Sequence, residues 1–312
     1  MTNRFRMSRR ILAAGRDSAF RYPCWLLLGL WCLACSRPAI VVGSKNFTEQ
    51  VILGEMLAQM LEDRGVPVER RLNLGGSFIC HSALDSGQMD VYVEYTGTAL
   101  TAILKEPILH DSDEVYRRVR AEYGRRFGLA WGPPIGFNNT YALAMRREHA
   151  SALGIQRISD LAEHLDSIRT GFGHEFLERK DGYRGFTHAY GLDFSLPPRG
   201  MELGLIYQAL EEEEVDLVAG SATDALIEKL GLKVLMDDRD YFPPYFAAPV
   251  YRPDSVVVYP ALGEVVRLMG GQIDEDTIRK LNFAVDGERQ PERQVVREFL
   301  MGKGWIHKRT TG

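Results

Sequence analysis

From residue 39 onward the chain alternates two hydrophobic rhythms. Ala39 to Gly43 is a short β-branched run, after which Ile52, Leu53, Met56, Leu57, Met60 and Leu61 recur at helical spacing until Gly65. Asn46 and Glu49, three residues apart, open that helix as a cap and its reciprocal acid. Val66, Val68, Leu72 and Leu74 then alternate at the period of a strand, Gly75-Gly76-Ser77 starts a second helix, and Asp90 begins a third strand. The order β-α-β-α-β predicts a parallel sheet.

A second series follows. Phe137 to Met145 reads as an extended crossing strand, Ser159 caps a helix, Ile168 to Phe172 is a strand, and Met201 to Glu213 is a helix. After Lys233 to Met236, the stretch Tyr241 to Pro249 interrupts helix and begins a return crossing. The tail from Asp254 is helical, with Asp274 as a cap and a break at Gly287 to Pro291, and packs on the first lobe. Two crossings predict an α/β chain in two lobes, with residues 35–140 plus 246–312 in lobe one and 141–245 in lobe two.

One device is used twice. Asp90 to Thr98 is echoed 126 residues later by Asp216 to Asp224, each introduced by an Ala-Leu pair seven residues before its Asp. In both copies a helix ends, the chain turns, and a buried strand follows. Ligands of open α/β sheets bind beyond the carboxyl ends of the strands, so Tyr95 to Thr98 and Ser221 to Asp224 are expected to face one cleft from two lobes.

Composition removes several classes. A hydrophobic content of 45% with 26% charged residues is an ordinary globular balance. A net charge of -4, with no basic stripe after residue 21, argues against nucleic acid. The four acids Glu211 to Glu214 fan around a helix and form a solvated surface, and the scattered histidines have no ligand spacing, so no metal or cofactor is expected. No nucleophile is paired with a base, which sets aside an enzyme acting on a small amine through Lys45, Cys80, His81 or Asp224.

The N-terminus differs in kind. Arg4, Arg6, Arg9, Arg10, Arg16 and Arg21 precede the uncharged stretch Cys24 to Cys35, which is too short for a spanning helix and reads as an export signal over residues 1–34. Leu33-Ala34-Cys35-Ser36 resembles a bacterial lipobox, which implies lipidation of Cys35 and membrane association through that anchor, in the periplasm or at the cell surface. Cleavage before Cys35 leaves Cys80 as the one cysteine of the body beyond the anchor, read as a buried small apolar side chain.

Five ordered stretches resemble the substrate-binding proteins of osmoprotectant ABC transporters, the glycine betaine/carnitine/choline family. They are Gly43 to Gln50, Tyr92 to Thr98, Gly136 to Met145, Glu175 to Gly182 and Phe242 to Pro249. The resemblance implies a type II periplasmic-binding-protein fold, two lobes hinged about a cleft, acting as a monomer that hands its ligand to an ABC permease driven by an ATPase. It places Tyr95, Tyr141 and Tyr245 in an aromatic box around a quaternary ammonium, and Lys45, Thr98 and Arg179 on the carboxylate of a betaine. A quaternary ammonium has no N–H to donate, so apolar contact and the negative faces of rings must hold it. Glu175 or Asp181 could instead claim Arg179 in a surface pair, and a sensor reporting to a membrane receptor is the alternative to transport.

The chain departs from this pattern at one position. A fourth aromatic commonly ends the second-lobe strand, where the internal echo aligns Ser221 with Tyr95. Either the cation is held more weakly, or Phe78, Tyr207, Phe242 or Phe246 swings in, or the ligand needs the room. A related but not identical substrate is favoured over plain glycine betaine.

Overall fold

Ten short strands form two sheets because β-branched and apolar runs alternate with helices too short to stand without packing. The structure is a computed structural model describing residues 38–307. The export segment and Cys35 lie outside the described residues. In chain order the strands are β1 (Ile40–Lys45), β2 (Val68–Gly75), β3 (Val91–Tyr95), β4 (Ala130–Trp131), β5 (Tyr141–Met145), β6 (Thr170–Gly173), β7 (Arg199–Met201), β8 (Leu217–Ser221), β9 (Lys233–Val234) and β10 (Ala247–Tyr251).

The sheets repeat one design. Sheet one runs β2-β1-β3-β10-β4 and sheet two β7-β6-β8-β5-β9. In each, three parallel strands are joined by one antiparallel strand that arrives from the other sheet, β10 against β3 and β5 against β8. The two connecting segments run side by side, with Ile135 N–H donating to Ala247 O at 2.8 Å and Asn139 N–H to Tyr245 O at 3.0 Å.

The echoed aspartates have a structural task at the amino ends of the strands. Asp90 accepts from the Val41 N–H at 2.7 Å, and Asp216 accepts from the Arg169 N–H at 3.0 Å, so each carboxylate pins the start of the neighbouring parallel strand. The Arg169 and Arg146 guanidiniums hold the Asp216 carboxyl at about 2 against the pull of burial. This repeated device explains the spacing seen in the sequence, and it leaves the opposite strand ends free to build a site.

Alternation divides the core. Val91, Val93 and Tyr95 pack on one face of sheet one with the helix Thr48–Asp63, while Tyr92 points into a separate cluster with Cys80, Tyr123 and Trp131 on the other face. The tail helix Glu292–Gly302 lies against Thr48–Asp63, and Asp274 caps the helix Glu275–Asn282 by accepting from Thr277 N–H at 2.8 Å. Cys80 is buried, its thiol pushed up to about 12 by desolvation.

Three local expectations are corrected. Asn46 does not cap the first helix: Phe47 occupies that position without a side-chain bond, because Glu49 is drawn into the cavity between the sheets. Ser159 does not cap a helix either, since its hydroxyl bonds Asp238 and the segment Ile158–Glu163 is a short 3-10 turn. Met201 to Glu213 is not one helix. Arg199–Met201 extends to pair with β6, a turn follows, and the helix covers only Ile206–Glu211, so Glu212 to Glu214 form an exposed turn.

Candidate functional site

The carboxyl ends of β1, β3, β6 and β8 converge on one cavity of about 520 Å³, and the start of β5 closes its side. Lys45, Tyr95, Thr98, Tyr141, Arg179, Ser221 and Tyr245 all line it. Residues from stretches far apart in the chain therefore meet where the strand ends predict a ligand.

The tyrosines form an aromatic cluster. The Tyr141 ring stands edge-on to Tyr245 at 5.5 Å between centroids and 83°, with Phe176 at 4.7 Å and Phe242 at 5.4 Å behind it. Tyr245 is fully buried and its hydroxyl donates to Asp181 at 2.6 Å, which fixes the ring. Gly97 makes this possible, because a Cβ there would stand 2.7 Å from the Tyr245 ring. Tyr95 stacks on Phe47 at 6.3 Å. Phe47 and Phe176 line the cavity but were not legible as site residues, since each reads as ordinary helical packing.

Glu49 is the main residue that sequence reasoning missed. Buried with 3% exposure, it accepts from Tyr95 hydroxyl at 2.6 Å, Asn139 Nδ2 at 2.8 Å and Asn282 Nδ2 at 3.1 Å, and from the Thr223 hydroxyl. These donors come from β3's end, a connecting segment, the tail and the loop after β8. Burial raises the carboxyl's pKa while the four donors oppose it. One carboxylate thus ties both sheets' elements together beside the aromatic cluster and orients the Tyr95 ring.

The two cations are already engaged within the protein. Lys45 pairs with buried Glu94 and lies 4.7 Å over the Tyr95 ring. Arg179 sends Nε to Asp181 at 2.9 Å and Nη1 to Thr98 Oγ1 at 2.9 Å and to Glu175 at 3.3 Å. Both acids named as competitors for Arg179 do hold it, but the arrangement is a buried network rather than a surface pair, with Arg179 at 4% exposure and Asp181 at 1%. Glu175 also accepts from the Ser77 N–H at 2.8 Å, joining the start of the helix Ser77–Asp85 to the second sheet's side.

Ser221 ends β8 directly opposite Tyr141 in the ladder, and its hydroxyl lies 3.3 Å from Thr223 Oγ1. Of the four aromatics that could replace the absent wall, Tyr207 lines the cavity and Phe242 backs Tyr141, while Phe78 is 43% exposed and Phe246 sits in the return crossing. The Tyr207 phenol passes over Gly220, where a Cβ would be 1.9 Å from its oxygen.

Asp224 stands beside Tyr207 as the cap of the helix Ala225–Lys229, accepting from Leu226 N–H at 3.1 Å, and burial raises its carboxyl to about 6. A raised carboxyl pKa stabilises the fold below the unfolded value and loses that contribution as pH rises through about 6. Asp224→Asn keeps a good cap and removes the charge. Its stability relative to the parent is expected to be near equal at pH 4 and greater by roughly 3 kcal/mol at pH 7, measured as the difference in urea unfolding free energies. A difference that does not change with pH would contradict this.

Among the described residues no group of three or more His, Cys, Asp or Glu side chains could hold a metal ion, and no helix is long and apolar enough to cross a membrane.

Two sheets with exchanged strands and a cleft between their carboxyl ends define a two-lobed solute-binding protein of type II architecture. Residues 38–301 match the model of the substrate-binding domain of ABC-type glycine betaine transport systems, and the chain belongs to that family of transport proteins. A glycine-betaine-binding protein of Pseudomonas aeruginosa is 38% identical over 288 residues, covering 86% of this chain and 92% of that protein. An ergothioneine transport permease/ergothioneine binding protein of Helicobacter pylori is 35% identical over 280 residues, covering 88% of this chain but only 50% of its own length. Among solved structures, a glycine betaine/carnitine/choline ABC transporter protein superposes with a TM-score of 0.69 at 32% identity, covering 86% of this chain and all of that one.

Proposed function

We propose that this chain is the extracytoplasmic ligand-capturing component of an ABC importer and holds a betaine-class zwitterion without transforming it. The observation that carries this reading is the convergence of Tyr95, Tyr141 and Tyr245 on one cavity. Each ring offers a cation on the order of 0.5 to 2 kcal/mol, so several are needed for micromolar binding of about 8 kcal/mol. Lys45 and Arg179 supply the positive field for the carboxylate. For Arg179 to donate to a ligand, Glu175, the more distant of its two acids at 3.3 Å, gives way, while Asp181 keeps the guanidinium in place.

In this reading residues 35–140 plus 246–312 and residues 141–245 close on each other about the paired segments, which the bond from Ile135 to Ala247 keeps in step. Cys35 carries a lipid that holds the protein at a membrane surface, and permease and ATPase subunits are its partners. The protein acts as a monomer.

Calorimetry with glycine betaine, carnitine and choline tests the function. The carboxylated ligands are expected to bind and, at about a hundredfold over Kd, to raise unfolding free energy by about 2.7 kcal/mol with no product formed. Choline binding as tightly as glycine betaine would remove the roles of Lys45 and Arg179.

A further inference from the structure

The two cations of the site stand among more acid than they can neutralise. Lys45 is paired with Glu94 and Arg179 with Asp181, and both of those acids have fully buried side chains. A third acid, Glu175, lies against Arg179 at 3.3 Å and lines the same cavity. Two cations therefore face three carboxylates, an unfavourable balance for a place that is to receive one more.

Of the three, Glu175 is the acid placed to yield. Its side chain is 25% exposed, whereas those of Glu94 and Asp181 have no exposure, so its charge keeps contact with water when it leaves a partner. It stands on the short helix His174–Glu178 after β6 and reaches the Gly75-Gly76-Ser77 turn on the first sheet's side, where the Ser77 N–H donates to Oε2 at 2.8 Å. Gly76 admits that approach, because a Cβ there would collide with Oε2. Burial opposes ionisation of Glu175, yet the Arg179 guanidinium, the Lys45 ammonium and the Ser77 N–H together hold its carboxyl below the ordinary carboxylate range. The two oxygens have separate tasks. Oε2 is cradled at the start of the helix Ser77–Asp85, while Oε1 takes an Arg179 N–H that a betaine's carboxylate would use.

We propose that Glu175 is a specificity-determining residue, an internal competitor whose charge sets how strongly the site prefers a carboxylated quaternary ammonium to one that ends in a hydroxyl. When a ligand carboxylate enters, Oε1 leaves Arg179 and Oε2 stays on the Ser77 N–H. A negative charge then remains beside the incoming one and weakens its binding. A ligand ending in a hydroxyl meets no such repulsion. This rests on the betaine reading above, with Lys45 and Arg179 turned toward the ligand's carboxylate.

Calorimetry with glycine betaine and choline on the parent and on Glu175→Gln tests this. The quantity read is the ratio of glycine betaine affinity to choline affinity. A merely structural role would leave that ratio alone, since a loosened cleft weakens both ligands together. Glu175→Gln keeps an acceptor for the Ser77 N–H and removes the charge, and it is expected to raise the ratio at least fivefold. Glu175→Ala carries the same expectation and decides the matter if the first variant fails to fold. A smaller rise, no change or a fall overturns the role of Glu175 and, with glycine betaine still bound by the parent, spares the betaine reading. Binding of neither ligand by the parent or the variants removes both.

Discussion

Arg179→Met is expected to lower the stability of the unliganded protein by about 3 to 5 kcal/mol, the cost of leaving a buried carboxylate without its cation. Asp181 is 1% exposed, and the neighbouring Arg179 guanidinium holds its carboxyl below the usual range against burial. The Tyr245 and Thr101 hydroxyls also donate to it, at 2.6 Å and 2.7 Å, so losing the cation leaves a partly satisfied charge that two neutral donors do not neutralise. The sign of the pH dependence reverses as well. In the parent, a depressed carboxyl contributes stability that is present above the unfolded value and lost as pH falls. Without Arg179, burial dominates, and the variant's deficit is expected to be smaller at pH 4 than at pH 7. Urea unfolding at both values measures this, and Arg179→Met with Asp181→Leu together is expected to recover much of the loss. A single-variant deficit below about 1 kcal/mol, the worth of an exposed pair, would mean the network carries no buried charge.

Tyr141→Ala is expected to weaken glycine betaine binding at least tenfold, and Tyr141→Phe to change it by less than about threefold. The ring does the work in this case: it lines the cavity with Phe176 at 4.7 Å and Phe242 at 5.4 Å behind it. A tenfold loss corresponds to about 1.4 kcal/mol, which lies inside the range for one cation over one ring. Titration of both variants against the parent decides it. Parent-like binding by the alanine variant would place the cation elsewhere, and an equally large loss in the phenylalanine variant would assign the effect to the hydroxyl.

Much of the frame was readable in order along the chain. Strand and helix periods repeat within a few residues, so the alternation at Val91, Val93 and Tyr95 and the helical spacing from Ile52 to Leu61 carried their own meaning. The repeated Asp-strand unit marked which strands end at the cleft, and seven residues chosen from strand ends and motifs do line one cavity. The misreadings occurred where a distant partner outbid a local rule. Asn46 and Glu49 have the spacing of a capping pair, yet Glu49 is claimed by groups up to 233 residues away. The edge of β6 drew Arg199–Met201 out of a helix.

Local order therefore determined the two sheets, the crossings and the tyrosines at strand ends, because each depends on neighbours a few positions apart. Tertiary packing alone decided that Glu49 would join Tyr95, Asn139, Thr223 and Asn282, that Arg179 would be buried on Asp181, and that Tyr207 and Asp224 would stand past Ser221. The physical reason is that a hydrogen bond or ion pair is set by distance in space, and no period along the chain encodes which remote donors a buried carboxylate will meet.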